Sequence, residues 1–335
     1  MSKTLKRCYF DKLDIDKLYN AYLRARKNKR NKKEVIDFEL NLETNLIKIY
    51  NALRYLTYKP GKYKEFIIHE PKERLIMSLP FKDRIIHQWY IEEFIKTFYV
   101  KRFIKDSYAC IKGRGTHKCV NKLQLYLKEN SNKDFYVLKC DIEKYFFNID
   151  KNILFNILKR DIKDKYLLEL TKKILFDNIN NGLPIGNYTS QYFANIYLNE
   201  LDWFIKDNLG VKYYIRYMDD FIFLLDSKEE CKLVLDEIRK ILNNNLKLNL
   251  NKKTRYFKYN HGIDFCGYIV YSDKLIPRKR NIKKIFKIIN NFNINDDLLK
   301  FYFSMNSYLS YLEYTKCYNL KKVIINRIIK CLNLI

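Results

Sequence analysis

The sequence predicts an α+β fold of two or three packed subdomains. Three observations lead there. Segments with apolar residues at helical spacing account for much of the chain, and each such stripe needs a partner to bury it. Between them lie apolar runs of strand length, FYVLKC before Asp141 and two more on either side of Tyr217-Met218-Asp219-Asp220. The 335 residues exceed a typical single domain and can enclose more than one sizeable core.

From the N-terminus, Leu13, Leu18 and Tyr22, then Leu42, Leu46, Ile49 and Leu53, recur at helix spacing. The basic run ARKNKRNKK from Ala25 interrupts them, as a solvated loop or a phosphate contact. YKEFIIHEPKERLIM, Tyr63 to Met77, predicts two strands joined by a turn at Glu70-Pro71, with Lys72 and Arg74 beside it. A helix follows through DRIIHQWYIEEFIKTFY. The strand Phe135 to Cys140 delivers Asp141 at its end, and KNILFNILKRDIKDKYLLELTKKILF continues as helix. NGLPIGNYTSQ is rich in turn residues and leads into the apolar helix YFANIYLNELDWFIKD. VKYYIRYMDDFIFLL predicts two strands flanking a four-residue turn, with both aspartates at the tip. A helix from Glu229 to Asn244, short strands around Leu248 and Phe257, a GIDFCGYIVY strand and a basic helical tail from Pro277 complete the pattern. No repeat or low-complexity linker interrupts it, and the expected boundary falls near Leu275 to Lys279.

Lys and Arg total 65 against 38 Asp and Glu, a formal net charge of +27, and such an excess favours a polyanionic partner, RNA or DNA first. AT-rich coding, which enriches Lys, Asn, Ile and Tyr together, accounts for some of it. Charges break the apolar residues into runs too short for a membrane span, and the N-terminus lacks the apolar core and cleavage site of a secretion signal. The eight cysteines are scattered, with no C-x-x-C pair and no His at ligand spacing, so they are expected to be reduced thiols in a cytoplasmic protein.

The chemistry rests on carboxylates. Two-metal phosphoryl transfer needs them to converge on a pair of divalent ions, one activating the attacking hydroxyl and one holding the triphosphate. Asp141 closes one apolar strand and Asp219-Asp220 sit between two others, so neighbouring strands of one sheet would gather all three. Oxygen-only ligands favour Mg²⁺, with Mn²⁺ able to replace it, over zinc. A DD pair in a solvated turn is common, but apolar strands on both sides make that bland explanation much weaker here.

These residues resemble those of the reverse transcriptases, from about Lys62 to Tyr271. Tyr217-Met218-Asp219-Asp220 is similar to the family's YxDD box, Asp141 to Phe146 to the box with its first metal-binding aspartate, and Gly267-Tyr268 to its primer-grip strand. The resemblance implies a right hand with fingers, a ferredoxin-like palm and a helical thumb. Residues 1–60 would be a basic N-terminal helical extension, 61–135 part of the fingers, 136–275 the palm with an inserted fingers segment, and 276–335 a basic thumb. It implies catalytic roles for Asp141, Asp219 and Asp220, with the Ile142 backbone carbonyl as a further ligand for one of two Mg²⁺ ions. Phe146, five residues after Asp141, matches the steric gate against a ribonucleotide's 2′-hydroxyl. Lys72 and Arg74 match fingers residues that hold the incoming triphosphate. Lys253 matches a lysine near the leaving pyrophosphate, and the resemblance implies that Gly186, Ser190 and Gln191 line the nucleotide pocket. Tyr217, Met218, Gly267, Tyr268 and Arg114 are the implied nucleic-acid contacts.

One box departs from most of the family. Ile185-Gly186-Asn187-Tyr188-Thr189-Ser190-Gln191 has isoleucine and glutamine where a glutamine and a proline are usual. That form resembles the enzymes of diversity-generating retroelements, as do YACIKGRGTHKCV and IHEPKERLIMSLPFKDR. The resemblance implies copying of a template RNA into cDNA from dNTPs with errors at adenines, assisted by a small basic accessory protein that forms a ring. An amide at position 185 could hydrogen-bond near the nascent pair, whereas isoleucine offers only shape, so discrimination against mispairs should fall. The sequence ends with the thumb, so an endonuclease or RNase H domain like that of longer family members is not expected in it. Two alternatives stand beside this reading: an anti-phage defence reverse transcriptase of bacterial origin, and a non-catalytic RNA-binding module on a polymerase scaffold.

Overall fold

A computed structural model describes residues 4–69, 73–176, 182–292 and 297–333. Nine strands form three antiparallel sheets among these residues. β1 (Lys64–Ile68) and β2 (Arg74–Ser78) make an exposed hairpin. The turn expected at Glu70-Pro71 lies outside the described residues, as does Lys72.

The central sheet contains β3 (Tyr136–Asp141), β4 (Tyr214–Tyr217), β5 (Asp220–Leu225) and β6 (Arg255–Lys258), in the order β4-β5-β3-β6. Helices lie between β3 and β4, β4 and β5 form a hairpin, and the helix Lys228–Leu246 precedes β6. This is the ferredoxin-like arrangement, with the first and third strands adjacent at the centre.

Period-2 alternation gives this sheet two buried faces. Leu138, Cys140, Phe221 and Phe223 enter the main core with the helices Tyr188–Trp203 and Lys228–Leu246. Val137, Ile215, Ile222 and Leu224 pack on the other side against the helix Thr116–Glu129 and the third sheet. That sheet comprises β7 (Ile263–Phe265), β8 (Tyr268–Val270) and β9 (Leu275–Pro277). After β9, the helices Lys279–Asn290, Leu298–Glu313 and Tyr318–Asn333 share a separate small core of Ile285, Ile289, Phe301, Met305, Leu312 and Ile324. None of the described helices is long and apolar enough to cross a membrane.

Local chemistry accounts for several differences from the sequence expectations. The long helix expected after Asp141 is two, Lys151–Asp161 and Lys165–Leu175. Asp164 breaks it by capping the second, accepting from the Tyr166 and Leu167 N–H groups at 3.0 and 3.1 Å. Its other oxygen accepts from the N–H groups of Cys8 and Tyr9 at 2.7 and 2.9 Å, tying the N-terminal segment to the fold. The turn expected to hold four residues holds two: Tyr217 pairs with Asp220, leaving Met218-Asp219 as the loop and placing Asp220 inside β5. GIDFCGYIVY is a hairpin rather than one strand, because Cys266 and Gly267 both take positive φ, +47° and +95°, and turn the chain. No strand forms around Leu248; instead Leu250 makes an isolated bridge to Ile142.

Candidate active site

The pairing of β3 with β5 sets Asp141 directly opposite Asp220, so both carboxylates leave the same face of the sheet. Asp219 occupies the adjoining turn. The three repel one another inside a largely buried setting. Burial, then repulsion from Asp141, pushes Asp219 up to about 6, partly offset by a backbone hydrogen bond and by Arg74. Burial raises Asp220 to about 7 although Lys139, 3.4 Å from its Oδ2, draws it down. Asp220 Oδ1 is buried with no hydrogen-bond partner. An orphaned carboxylate oxygen amid like charges fits a divalent cation, and the donors are oxygens throughout.

No three acidic, histidine or cysteine side chains among the described residues enclose a metal position by themselves. Mg²⁺ ordinarily takes one or two carboxylates and completes its shell with water and substrate phosphates, so an incomplete cage accords with such an ion. The bridge between Ile142 and Leu250 uses the Asp141 carbonyl, which accepts from the Asn251 N–H at 2.7 Å, and the Glu143 N–H, which donates to Asn249 at 2.9 Å. It leaves the Ile142 carbonyl out of that pairing.

The turn between β4 and β5 is strained and strongly held. Met218 adopts φ +58°, a left-handed conformation costing a non-glycine residue roughly 1–2 kcal/mol. Its carbonyl accepts from Arg216 Nη1 at 2.9 Å. Arg216 is fully buried and forks onto Asp202, with Nε to Oδ1 at 2.7 Å and Nη2 to Oδ2 at 2.5 Å. Asn195 accepts at 3.1 Å, and Tyr214 donates its hydroxyl to Asp202 at 2.7 Å. Removing either charge would strand the other, at a cost of roughly 3–5 kcal/mol. Sequence reasoning passed over this network, although an Arg in an apolar strand and an Asp in an apolar helix each demand a buried partner.

The loop around Ile185 joins three parts of the site. Ile185 accepts through its carbonyl from the Met77 N–H on β2 at 2.9 Å, and the Leu183 N–H donates to Phe146 at 2.7 Å. Gly186 has φ +130°, and a Cβ there would lie 2.6 Å from the Met77 carbonyl, so only glycine allows this approach. Phe146 is half-buried and edge-on to the buried Tyr145 at 5.7 Å, between Tyr145 and the exposed Phe147. Of the run Tyr145-Phe146-Phe147, Phe146 thus combines a packed ring with an open edge. Arg74 begins β2 and is exposed.

The other expected site residues fall less directly. Ser190 is buried and Gln191 exposed on the first turn of their helix. Lys253 lies in the turn after Asn251, whose side chain accepts its N–H at 3.0 Å. Tyr217 accepts from the Thr116 hydroxyl at 3.2 Å. Tyr268 is buried, stacked on Tyr311 at 4.7 Å and 3.1 Å from His117, which leaves Cys266-Gly267 as the outer part of its hairpin. Arg114 spends its guanidinium on the carbonyls of Ile104 and Ser107 at 2.7 and 2.6 Å, fastening the loop before the helix Thr116–Glu129.

Comparison with known proteins shows which family the chain belongs to. Residues 59–270 match the family model described as reverse transcriptase (RNA-dependent DNA polymerase). A group II intron-encoded protein, LtrA, of Lactococcus lactis subsp. cremoris is 23% identical over 86% of this chain and 60% of its own length. The retron Ec73 reverse transcriptase of Escherichia coli is 31% identical over 44% of this chain and 49% of its own, and a putative intron protein of Saccharomyces cerevisiae is 24% identical over 47% and 26%. The chain therefore spans between about a quarter and three fifths of these relatives' lengths. Among solved structures, telomerase from Candida albicans aligns with a TM-score of 0.47 and 13% identity, over 80% of this chain and 55% of that one. With a family model covering well over half its length, and the three aspartates set on a ferredoxin-like sheet, the chain belongs to the reverse transcriptase family.

Proposed function

We propose that this protein is an RNA-directed DNA polymerase, extending a primer along template RNA with deoxynucleotides at the site of Asp141, Asp219 and Asp220. The observation that carries the reading is the strand register that opposes Asp141 and Asp220 with Asp219 in the next turn. These carboxylates and the Ile142 carbonyl would hold two Mg²⁺ ions, which lower the pKa of the primer hydroxyl and neutralise triphosphate charge. Arg74, whose positive charge is felt at Asp219, offers a planar fork of donors to phosphate oxygens. The Gly267 hairpin would steady the primer, and Phe146 would wall off the 2′ position of the sugar. A net charge of +27 suits a polyanionic duplex. Purified protein should copy a primed RNA into DNA, stop on addition of EDTA and resume with excess Mg²⁺. Absence of synthesis on any primed RNA, with Mg²⁺ or Mn²⁺, would overturn the reading.

The finer role we assign is error-prone copying for diversification of a target gene, and its support is Ile185. This residue anchors β2 through its backbone while presenting an apolar side chain where an amide is usual. Glutamine there would restore one donor and one acceptor, and a hydrogen bond worth about 1 kcal/mol to correct pairs alone would cut errors roughly fivefold. Sequencing of cDNA made by Ile185→Gln and wild-type enzyme from one defined RNA measures this. An unchanged error spectrum in an active variant would remove Ile185 from the account.

A further inference from the structure

The central sheet and the sheet of β7 to β9 are not strand-paired with each other. The Gly267 hairpin must nevertheless keep a fixed position relative to the carboxylates if it is to hold a primer end opposite them. Lys139 supplies a link. It lies two residues before Asp141 on β3, so its side chain leaves the same face of the sheet as those of Asp141 and Asp220. Its ammonium stands 3.4 Å from Asp220 Oδ2 and donates a hydrogen bond to the carbonyl of Asp264, the middle residue of β7. The Asp264 carboxylate in turn accepts from the Arg278 guanidinium. The Arg278 N–H donates to the Tyr311 hydroxyl at 3.1 Å, and that hydroxyl donates to the Gly267 carbonyl at 2.7 Å. One ammonium thus spans a carboxylate of the candidate active site and the hairpin strand. It engages Oδ2 of Asp220 and leaves Oδ1 without a partner.

Resting on the polymerase reading above, we infer that Lys139 is a positioning residue, which registers the Gly267 hairpin, and with it the 3′-terminal nucleotide of a primer, against Asp220. A lysine ammonium has three donors and can serve two oxygens at once. Methionine approximates its length and packing and forms neither bond. The expected kinetic effect is large because misplacing reacting groups by about 1 Å costs on the order of 100-fold.

The test compares the full chain with Lys139→Met, Lys139→Arg and a control, Lys133→Met, whose ion pair with Asp226 lies on the surface. Hydrogen–deuterium exchange in the free protein should rise across residues 263–270 in Lys139→Met and not in the control. Single-turnover extension of a primer on RNA should slow roughly 10- to 100-fold in Lys139→Met. Affinity for the primed RNA, read by fluorescence anisotropy, should stay at the wild-type value, and Lys139→Arg should recover part of both losses. Unchanged exchange in Lys139→Met would overturn the link. Slowed extension with an equal loss of affinity and no recovery by arginine would overturn the positioning role, since a general loss of structure would explain it. Should the wild type extend no primer at all, the polymerase reading falls, while the exchange measurement still decides whether Lys139 holds the hairpin.

Discussion

Asp219→Asn is expected to reduce deoxynucleotide incorporation by on the order of 10³-fold or more, because stabilisation of transition-state charge by a bound metal is worth several kcal/mol. The variant should still bind primed RNA, because a net charge of +27 would draw phosphates at many points away from this carboxylate. It should also remain folded, and the sign of the stability change follows from the raised pKa values. Asp219 and Asp220 titrate near 6 and 7 in the folded chain. A carboxyl raised above its unfolded value of about 4 favours the folded state below that pH and loses this contribution as pH rises through the folded pKa. Metal-free wild-type protein should therefore lose stability between about pH 4 and pH 7, and Asp219→Asn should lose less. Thermal melts in EDTA at pH 5 and pH 8 read this directly. A folded Asp219→Asn protein that still polymerises would remove this residue from the metal site.

Phe146→Ala should admit ribonucleotides. The ring packs on Tyr145 while its backbone carbonyl holds Leu183 in the neighbouring loop, so truncation opens space at the rim without releasing the loop. A tight apolar pocket discriminates a small group by roughly 10- to 200-fold, which bounds the gain in rNTP over dNTP use. Competition between labelled rNTP and dNTP on one primed RNA gives the ratio. An unaltered ratio in an active variant would transfer the gate to another residue, with the exposed Phe147 next in line.

The chemistry-bearing strand ends were legible because apolar runs flank acidic residues at Asp141 and at Asp219-Asp220, a pattern that local propensity rarely leaves by chance. Register was not. A period of two says which side chains share a face but does not say which residue of β3 opposes which residue of β5, so the Asp141–Asp220 pairing emerged only in the fold. The length of the tip was misjudged because tight hairpins usually announce themselves with Gly, Asn or Asp at positive φ, and here Met218 takes that role under the restraint of Arg216. At Cys266-Gly267 the turn chemistry was present, but apolar residues on both sides read as one continuous strand. The helix Thr116–Glu129 is hard to read from sequence because Leu123, Leu125 and Leu127 alternate with Gln124 and Tyr126 at the period of a strand, although Leu125 is exposed and Tyr126 buried. Links such as Lys139 to Asp264, which join residues far apart in sequence, carry no local signal of any kind.

Single-nucleotide addition decides whether this site copies RNA into DNA. A primer annealed to an RNA of defined sequence is offered one dNTP at a time with Mg²⁺, alongside the same reaction with Asp219→Asn. The wild type is expected to add the complementary deoxynucleotide in preference to the other three, the chosen base is expected to follow the template when the template is changed, and the variant is expected to add none. Addition that ignores the template base, or equal addition by Asp219→Asn, would contradict this expectation.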